Sequence, residues 1–337
     1  MSGKDAPTAE AIRRAIDGKT KPLGALGQLE PLAAQIAARL GTLEPRLSGC
    51  TLTIFAADHG IATEGVSAYP QEVTRQMVRN FLDGGAAATV FARTLGVEVR
   101  VVDAGISGPP LDHPDLIDRR IGPGTRSFLD GPAMNADARD RALAAGRALG
   151  GGPADEVAAF GEMGIGNTAA AALIAHKLAG IELAELVGRG TGLDDAGLAH
   201  KRAVLATAAA RTPDRLDAAE AMRQYGGLEI AMMAGAMCGA AAAGRLVLVD
   251  GVIATGAAMI AEATDPAARA SLVFAHLSGD AGHRAMLDAM GAEPLLALGM
   301  RLGEGTGALL AWPLLQAAAA MLAEMASFEK AGVSGPA

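Results

Sequence analysis

The sequence predicts a doubly wound α/β fold, in which helices cover both faces of a parallel sheet. Three observations predict this class: short apolar runs recur along the chain, Gly-rich turns follow them, and Ala-rich helical segments separate them. Runs that are apolar throughout are typical of strands buried on both faces. Their alternation with helical segments indicates repeated strand–helix units.

Five apolar runs are the predicted strands. For any single run, a buried helical segment is the competing interpretation, because periodicity alone does not separate the two. The runs are residues 52–57, 97–103, 157–161, 246–250 and 272–276.

Helices are predicted between and around these strands. The chain ends, residues 1–45 plus 308–337, are predicted to form a small helical lobe beside a large α/β domain of residues 46–307. Pro313 is expected near the start of the last helix or at a kink in it, and residues after Phe328 are expected to fray. The predicted helices are residues 10–16, 28–40, 167–179, 227–243, 280–290 and 308–325.

Composition restricts the core and the functional class. Half of the 337 residues are hydrophobic but only 3% are aromatic, so the core is expected to consist of aliphatic side chains and Met. The net charge of −8 and the lack of a dense Lys/Arg run argue against a nucleic-acid partner. Cys50 and Cys238 match no zinc or redox spacing and are expected to be buried and reduced.

Localisation is expected to be cytoplasmic, with no membrane partner. The first 20 residues carry charges where a signal peptide needs an apolar core. Each long Ala-rich run is expected to be interrupted by a charge or a glycine before it could span a bilayer.

Polar and glycine residues follow every predicted strand. Because ligands bind at the carboxyl ends of the strands in open parallel sheets, these residues predict a site at one edge of the sheet, without fixing the reaction. They are Asp58–Gly60, Asp103–Gly105, Glu162–Thr168, Asp250–Gly251 and His276–Asp280.

The segment GEMGIGNTAAAA has two interpretations of equal weight. Its small residues and the helix that follows could hold a phosphate, with Asn167 or Thr168 as the helix cap. It could also be a tight strand-to-helix turn without a ligand. It is neither a Walker loop nor a GxGxxG dinucleotide motif.

Two further Gly-rich segments contain charged residues. In VGRGTG (187–192), Arg189 is interpreted as a solvated surface charge, whereas Lys201 further along could neutralise a phosphate. In MRLGEGTGA (300–308), Glu304 precedes an apolar helix; it is either a loop residue attracted to the helix dipole or a general base with a raised pKa. No histidine pair has metal-ligand spacing.

Taken together, seven segments resemble the nicotinate-nucleotide:dimethylbenzimidazole phosphoribosyltransferase family. They occur in family order over nearly the whole chain, and each is longer than a short signature. The segments are KPLGALGQLE (21–30), ADHGIATEGVSAYPQEVT (57–74), FGEMGIGNT (160–168), GGLEIAMMAGA (226–236), VLVDGVIATGAA (247–258), HLSGDAGH (276–283) and MRLGEGTGA (300–308).

The resemblance implies a Rossmann-like sheet with a small helical lobe, a homodimer, no metal and no cofactor. It implies transfer of the phosphoribosyl group of nicotinate mononucleotide to 5,6-dimethylbenzimidazole, which yields α-ribazole 5′-phosphate and nicotinate in cobalamin biosynthesis. Glu304 is the implied general base, and Glu162 is expected to stabilise charge on the ribose.

The resemblance also assigns the binding residues. The phosphate and ribose are expected to contact Gly164, Ile165, Gly166, Asn167, Thr168, Lys201 and Ser278. The aromatic base is expected to contact Ser67, Tyr69, Met77, Met163, Asp250 and Leu302. Several relatives have Ser where Tyr69 stands and Gln where Met77 stands, which leaves the preferred base open.

Two other functions compete with this interpretation. A phosphatase or lyase of the same fold, acting on a sugar phosphate, would need a metal cluster or a nucleophile that the sequence lacks. A non-catalytic nucleotide-binding regulator would bind a mononucleotide without turnover, and the presence of Glu162, Lys201 and Glu304 together argues against it.

Overall fold

The computed structural model describes residues 6–190 and 192–334. In this part of the chain, six parallel strands form one sheet in the order β3-β2-β1-β4-β5-β6. This is the doubly wound order, in which the sequential order of the strands reverses between β1 and β4. The strands are β1 (Cys50–Ala57), β2 (Glu98–Gly105), β3 (Leu116–Asp118), β4 (Val157–Met163), β5 (Leu246–Val249) and β6 (Leu272–Phe274).

All five predicted strands are present, with ends shifted by one or two residues, and the predicted fold class is confirmed. The sequence did not predict β3, which has three residues, is only partly buried and pairs with β2 alone at the edge of the sheet. Such a short, half-exposed strand has no apolar run to reveal it.

Fourteen α-helices surround the sheet in the described part of the chain, with short 3-10 helices at Gly60–Glu64 and Pro266–Ser271. The helices are α1 (Ala9–Asp17), α2 (Leu29–Leu40), α3 (Glu72–Leu82), α4 (Ala87–Leu95), α5 (Ala136–Gly151), α6 (Asn167–Ala179), α7 (Leu183–Leu186), α8 (Asp195–Ala209), α9 (Ala218–Tyr225), α10 (Leu228–Ala242), α11 (Val252–Thr264), α12 (His283–Ala289), α13 (Thr306–Glu324) and α14 (Phe328–Ala331).

Alternate residues of each strand contribute to two separate hydrophobic layers. In β1, Phe55 and Ala57 face the layer that contains α5, α6, α10 and α11. Leu52 and Ile54 face the other layer, which contains α1, α2, α3, α4 and α13. Both faces of the sheet are therefore dry, which explains why its strands are apolar throughout.

The predicted helices are confirmed with small changes at their ends. Helix α12 begins at His283 rather than at residue 280, because Gly282 adopts a left-handed φ of 77° and ends the preceding turn. Pro313 lies inside α13. The segment expected to fray contains the single-turn helix α14, capped by the Ser327 side chain; residues 335–337 lie outside the described residues.

The two chain ends are hydrogen-bonded to each other. The Thr20 N–H donates to the Ala326 carbonyl at 3.0 Å, and the Phe328 N–H donates to the Gly18 carbonyl at 3.2 Å. Helices α1, α2 and α13 pack together, and they share one hydrophobic layer with the sheet. The division at residues 45 and 308 into two domains stays a prediction.

Helix α13 differs from the expectation that apolar runs would be too short to cross a membrane. It has 19 residues and a mean hydropathy of 1.5, so by length and composition alone it could cross a membrane. In the fold, however, 61% of the most apolar window is buried, and Leu309, Trp312 and Leu315 lie in the core. The hydropathy of α13 therefore matches that of a core helix.

Helices α5 and α10 pack with their backbones in close approach. Gly146 and Gly150 of α5 face the backbone of α10, where an added Cβ would overlap the carbonyl oxygens of Met232 and Ala236. Gly235 and Gly239 of α10 face α5 in the same way. This contact needs glycine on both helices, because a methyl group would force the helices apart.

We predict that Gly146→Ala lowers the free energy of unfolding by about 2 kcal/mol, because the new methyl group overlaps the Met232 carbonyl and both helices must shift. The measurement is urea unfolding followed by circular dichroism. Gly151→Ala is the matched control on α5, since its Cβ would lie 3.7 Å from the nearest α10 atom, an ordinary contact. Equal stability of the two variants would contradict the close approach.

Candidate active site

A cavity of about 330 Å³ opens at the carboxyl ends of β4, β5 and β6. Its walls come from α3, the turn before α6, the start of α11 and the segment before α13. This is the edge of the sheet predicted from the strand-end residues, next to the point where the strand order reverses. Acidic, amide and hydroxyl groups line one part of it, and apolar side chains line the other.

Glu304 lies in the wall of this cavity on a strained turn. Gly303, Glu304 and Gly305 have φ values of 81°, 64° and 85°, and Glu304 is the only non-glycine residue with a left-handed backbone in the described ranges. An added Cβ at Gly161 of β4 would overlap the Glu304 carbonyl. Glycines at these positions therefore let the turn press against the strand and point a carboxylate into the cavity.

The Glu304 side chain is 5% exposed, and its Oε2 accepts one hydrogen bond, from the Ala88 N–H at 3.4 Å. Burial raises the pKa of Glu304, and the negative charge of Asp250 raises it further; the hydrogen bond opposes the shift. A carboxylate with a raised pKa is a better proton acceptor than an exposed one.

Asp250 anchors the beginning of α13. Its Oδ2 accepts from the Gly305 N–H at 3.2 Å, and its Oδ1 accepts from the Ala308 N–H at 2.9 Å. The His276 Nε2 lies 3.6 Å from Oδ1. Burial raises the pKa of Asp250, whereas His276 and the helix N–H groups oppose that shift. Asp250 lines the cavity as predicted, but both of its oxygens also orient the turn that carries Glu304.

Glu162 is the second buried carboxylate of the cavity wall. Burial raises its pKa to about 8, with further contributions from the charges of Asp250 and Glu229. The Asn167 side-chain amide donates to Oε2, and the Glu304 N–H lies 3.5 Å from Oε1. Glu162 is therefore linked directly to both the turn before α6 and the turn that carries Glu304.

The turn before α6 differs in detail from the expected cradle. The helix cap is Gly166, with a left-handed φ of 100°, and neither Asn167 nor Thr168 caps the helix with its side chain. The Ile165 N–H donates to Thr74 Oγ1 at 3.1 Å, and the Asn167 N–H donates to the Gly164 carbonyl at 3.0 Å. These two N–H groups are thus engaged within the protein, while the positive end of α6 still faces the cavity.

A basic group stands beside this turn. The Lys201 Nζ donates to Thr168 Oγ1 at 2.8 Å, and burial lowers the pKa of Lys201 to about 8, opposed by the charge of Asp280. Thr168, Ser278 and Gly190 line the cavity, whereas Lys201 and Gly166 lie behind its wall. This combination of helix end, hydroxyls and an ammonium group suits a phosphate.

The other part of the cavity is apolar. Met77, Met163, Tyr69 and Leu302 line it, and the last two are 50% and 56% exposed at its mouth. Ser67 is not in this lining; its Oγ accepts a hydrogen bond from the Tyr69 N–H at 3.3 Å. Ser67 can therefore affect the cavity only through the loop that carries Tyr69.

Several lining residues were not singled out from the sequence. His276 and Asp280 were among the predicted strand-end residues, and Arg301 adjoins the Gly–Glu–Gly turn. The sequence therefore indicated that these three residues lie near the site. The apolar lining residues could not be identified from the sequence, because any core helix contains such side chains. The additional lining residues are Val73, Gly190, Gly251, Val252, Ile253, Ala254, His276, Asp280, Arg301 and Gly303.

His59 and His283 form hydrogen bonds within the protein, and the His276 Nε2 lies 3.6 Å from Asp250 Oδ1. His59 Nε2 lies 2.6 Å from Glu229 Oε1, and both side chains are fully buried. Within residues 6–190 and 192–334, no group of three or more His, Cys, Asp or Glu side chains is placed to hold a metal ion. Arg189 pairs with Asp195 and the Leu193 carbonyl, as expected for a surface charge.

Comparison with known proteins identifies the family. A family model described as phosphoribosyltransferase (DBI_PRT) matches residues 1–333. The chain belongs to this family. It is 54% identical over 326 residues, 96% of this chain and 94% of the relative, to a nicotinate-nucleotide–dimethylbenzimidazole phosphoribosyltransferase from Cupriavidus necator. It is 53% identical over 339 residues, 99% of this chain and 96% of the relative, to a protein of the same name from Ralstonia nicotianae.

A solved structure has the same fold over its full length. The crystal structure of CobT from Thermus thermophilus aligns with a TM-score of 0.92 at 45% identity, and the alignment covers 98% of this chain and 100% of that one. The resemblance found in the sequence is confirmed, and so are the α/β fold and the class of enzyme, a transferase that acts on a phosphoribosyl group.

We predict that Glu162→Gln is more stable than the wild-type protein at about pH 8.5 and that this difference shrinks towards about pH 5. A carboxyl group whose pKa is raised from 4.5 to about 8 holds its proton in the folded state where the unfolded chain has released it. Stability is therefore lost as the pH rises through this window, and an amide does not lose it.

The measurement is the pH dependence of the thermal midpoint for both proteins. The difference between the two curves reports the ionisation of Glu162 together with its effect on the neighbouring carboxyl groups. Parallel curves over the whole range would show that Glu162 does not titrate in this window.

Proposed function

We propose that the protein transfers the 5-phosphoribosyl group of nicotinate mononucleotide to 5,6-dimethylbenzimidazole, which gives α-ribazole 5′-phosphate and nicotinate in cobalamin biosynthesis. The cationic pyridinium ring leaves C1′ with the bonding electron pair as nicotinate, so no general acid is needed. One nitrogen of the benzimidazole forms the new bond to C1′, while the other nitrogen loses its proton. Attack opposite the leaving group inverts C1′ and produces the α-nucleotide.

The position of Glu304 carries this proposal. Its carboxylate is buried at the cavity wall, accepts a single weak backbone hydrogen bond and has a raised pKa. A lone pair on Glu304 is thus available to take the proton from the benzimidazole nitrogen. Because Glu304 is buried on a turn with a defined backbone geometry, its side chain has little freedom left to lose when the substrates bind.

Glu162 stabilises the positive charge that develops on the ribose in the transition state. In the free protein its pKa is about 8, so a large fraction is protonated near neutral pH. A cationic pyridinium bound nearby favours the ionised carboxylate, since an opposite charge lowers the pKa of a carboxyl group. Substrate binding therefore produces the charge that the transition state needs.

The 5′-phosphate lies against the beginning of α6, with Lys201 and Ser278 beside it. Lys201 is held 2.8 Å from Thr168 Oγ1, at the first turn of that helix. A phosphate dianion raises the pKa of a neighbouring ammonium group, so Lys201 binds it as a cation. The engaged N–H groups of Ile165 and Asn167 leave the helix dipole, the hydroxyls and Lys201 as the main anion-binding elements.

The aromatic base lies between Met77, Met163 and Leu302, with Tyr69 at the entrance. These thioether and aliphatic groups adapt to a flat ring without offering strong hydrogen bonds. The pocket therefore selects by shape and apolar contact, which suits the two methyl groups of dimethylbenzimidazole.

We predict that Glu304→Gln lowers kcat by at least about a hundredfold, because the amide cannot accept the proton, while binding of nicotinate mononucleotide changes little. The measurement is release of nicotinate and formation of ribazole phosphate from the two substrates, resolved by chromatography with mass detection. Glu324→Gln, on the exposed end of α13, is the matched control and is expected to keep full activity.

The outcomes separate three conclusions. Wild-type turnover with an inactive Glu304→Gln protein supports both the reaction and the base. Equal turnover by both proteins would overturn the role of Glu304 but keep the reaction. Binding of the mononucleotide by the wild-type protein without turnover would favour a regulator instead.

We further propose that the protein is a cytoplasmic homodimer. Large apolar side chains stand exposed on the single chain, among them Leu23 at 72% and Leu298 at 58%, and burying them against a second copy would stabilise a dimer. We predict a sedimenting species of about twice the 33.8 kDa chain mass at micromolar concentration. A single species with the mass of one chain would contradict the homodimer.

A further inference from the structure

His283 lies behind the phosphate side of the cavity and uses both of its ring nitrogens. The side chain is fully buried. Its Nδ1 is 2.8 Å from the backbone nitrogen of Ser278, and its Nε2 is 2.9 Å from Thr255 Oγ1. Because the Ser278 N–H is a donor, Nδ1 must be the unprotonated nitrogen, so Nε2 carries the proton and donates to the threonine.

Burial and the surrounding charges keep this ring neutral. Burial lowers the pKa of His283 to about 3, and the neighbouring His276 and Arg284 contribute to the same shift. The ring of His276 is 6.2 Å away, centre to centre, in an edge-on arrangement. The tautomer with one donor and one acceptor therefore persists over the whole physiological pH range.

The two hydrogen bonds join separate parts of the cavity wall. Thr255 is a buried residue of α11, the helix whose first residues line the cavity. Ser278 begins the turn after β6 and lines the phosphate side. Without His283, the Ser278 N–H would be a buried donor with no acceptor. The hydrogen-bonded link from this turn to Thr255 of α11 would also be lost.

The same turn continues towards the catalytic carboxylate. The Gly279 N–H donates to the Met300 carbonyl at 2.8 Å, and Ser278 Oγ donates to that same carbonyl at 3.2 Å. Met300 begins the segment that ends in Glu304. A displacement of the Ser278 turn would therefore move both the phosphate contact and the segment that carries the base.

We propose that His283 is a positioning residue that fixes the Ser278 turn against α11, so that the phosphate of the substrate is held at the correct distance from Glu304. This inference rests on the proposed function. His283 lies outside the cavity lining and acts through the Ser278 N–H. Its contribution is expected to be greater with substrates that carry the phosphate, because the phosphate contacts that turn directly.

The test compares two variants that each keep one of the two bonds. In His283→Gln, the amide nitrogen can still reach Thr255, but no acceptor stands where Nδ1 was. In His283→Asn, the amide oxygen takes the place of Nδ1 and can accept from Ser278, while the bond to Thr255 is lost. A variant of His176, a partly buried histidine bonded to the Ile181 carbonyl at the far end of α6, is the control: His176→Gln.

For each protein, kcat/KM is measured with nicotinate mononucleotide and with the corresponding nucleoside, which lacks the phosphate. We expect His283→Gln to lower the nucleotide-to-nucleoside ratio of kcat/KM roughly tenfold, as for the loss of one buried hydrogen bond. His283→Asn is expected to restore most of that ratio, and His176→Gln to leave it unchanged. Thermal midpoints are recorded in parallel, since a general loss of stability would lower activity with both substrates equally.

The results separate the inference from the function on which it rests. An unchanged ratio in His283→Gln, with wild-type turnover intact, would overturn the positioning role. An equal loss with both substrates would also overturn it and would make His283 a residue of stability alone. Failure of the wild-type protein to turn over would instead contradict the proposed function.

Discussion

The site depends above all on Asp250, whose two carboxylate oxygens accept hydrogen bonds from N–H groups at the beginning of α13. Asp250 directly follows β5, so this contact fixes the beginning of α13 relative to the sheet. The strained turn that contains Glu304 directly precedes α13, so anchoring the helix also fixes the position of the turn. A helix N-terminus with its unpaired donors thus becomes the support for a catalytic carboxylate.

The buried acidic groups of the site need backbone donors close to them, and glycines in the surrounding backbone make this close approach possible. Glu162, Asp250 and Glu304 are all buried, and the charge of Asp250 raises the cost of ionising the other two. Such a group of charges is tolerated where each carboxyl has nearby donors and where a cationic substrate arrives to compensate them. Glycines at 161 and 303 allow these donors to approach, because a Cβ at either position would overlap the Glu304 carbonyl or the Glu162 carboxylate.

Much of the fold and part of the site could be predicted from the sequence. Strands buried on both faces and strand-end polar residues are local signals, and they located the cavity edge correctly. The short edge strand β3 and the apolar wall residues Val73 and Ile253 gave no signal, since they differ from ordinary loop and core residues only by what they meet in space. The cap of α6 was predicted wrongly, because Asn167 and Thr168 bind Glu162 and Lys201 instead of the helix end. Ser67 was placed in the lining by its position in a motif, but its side chain bonds to the loop instead.

Helix α13 belongs to both the site and the core. It begins at the catalytic turn and then packs in one hydrophobic layer beside β4 and β5. It also follows all six strands in the chain, so it leaves the ribosome after them. A nascent chain that has already made all six strands still lacks both its base and the apolar strip that covers one sheet face. The catalytic turn and the cover of that sheet face are therefore completed together, when α13 packs against the sheet.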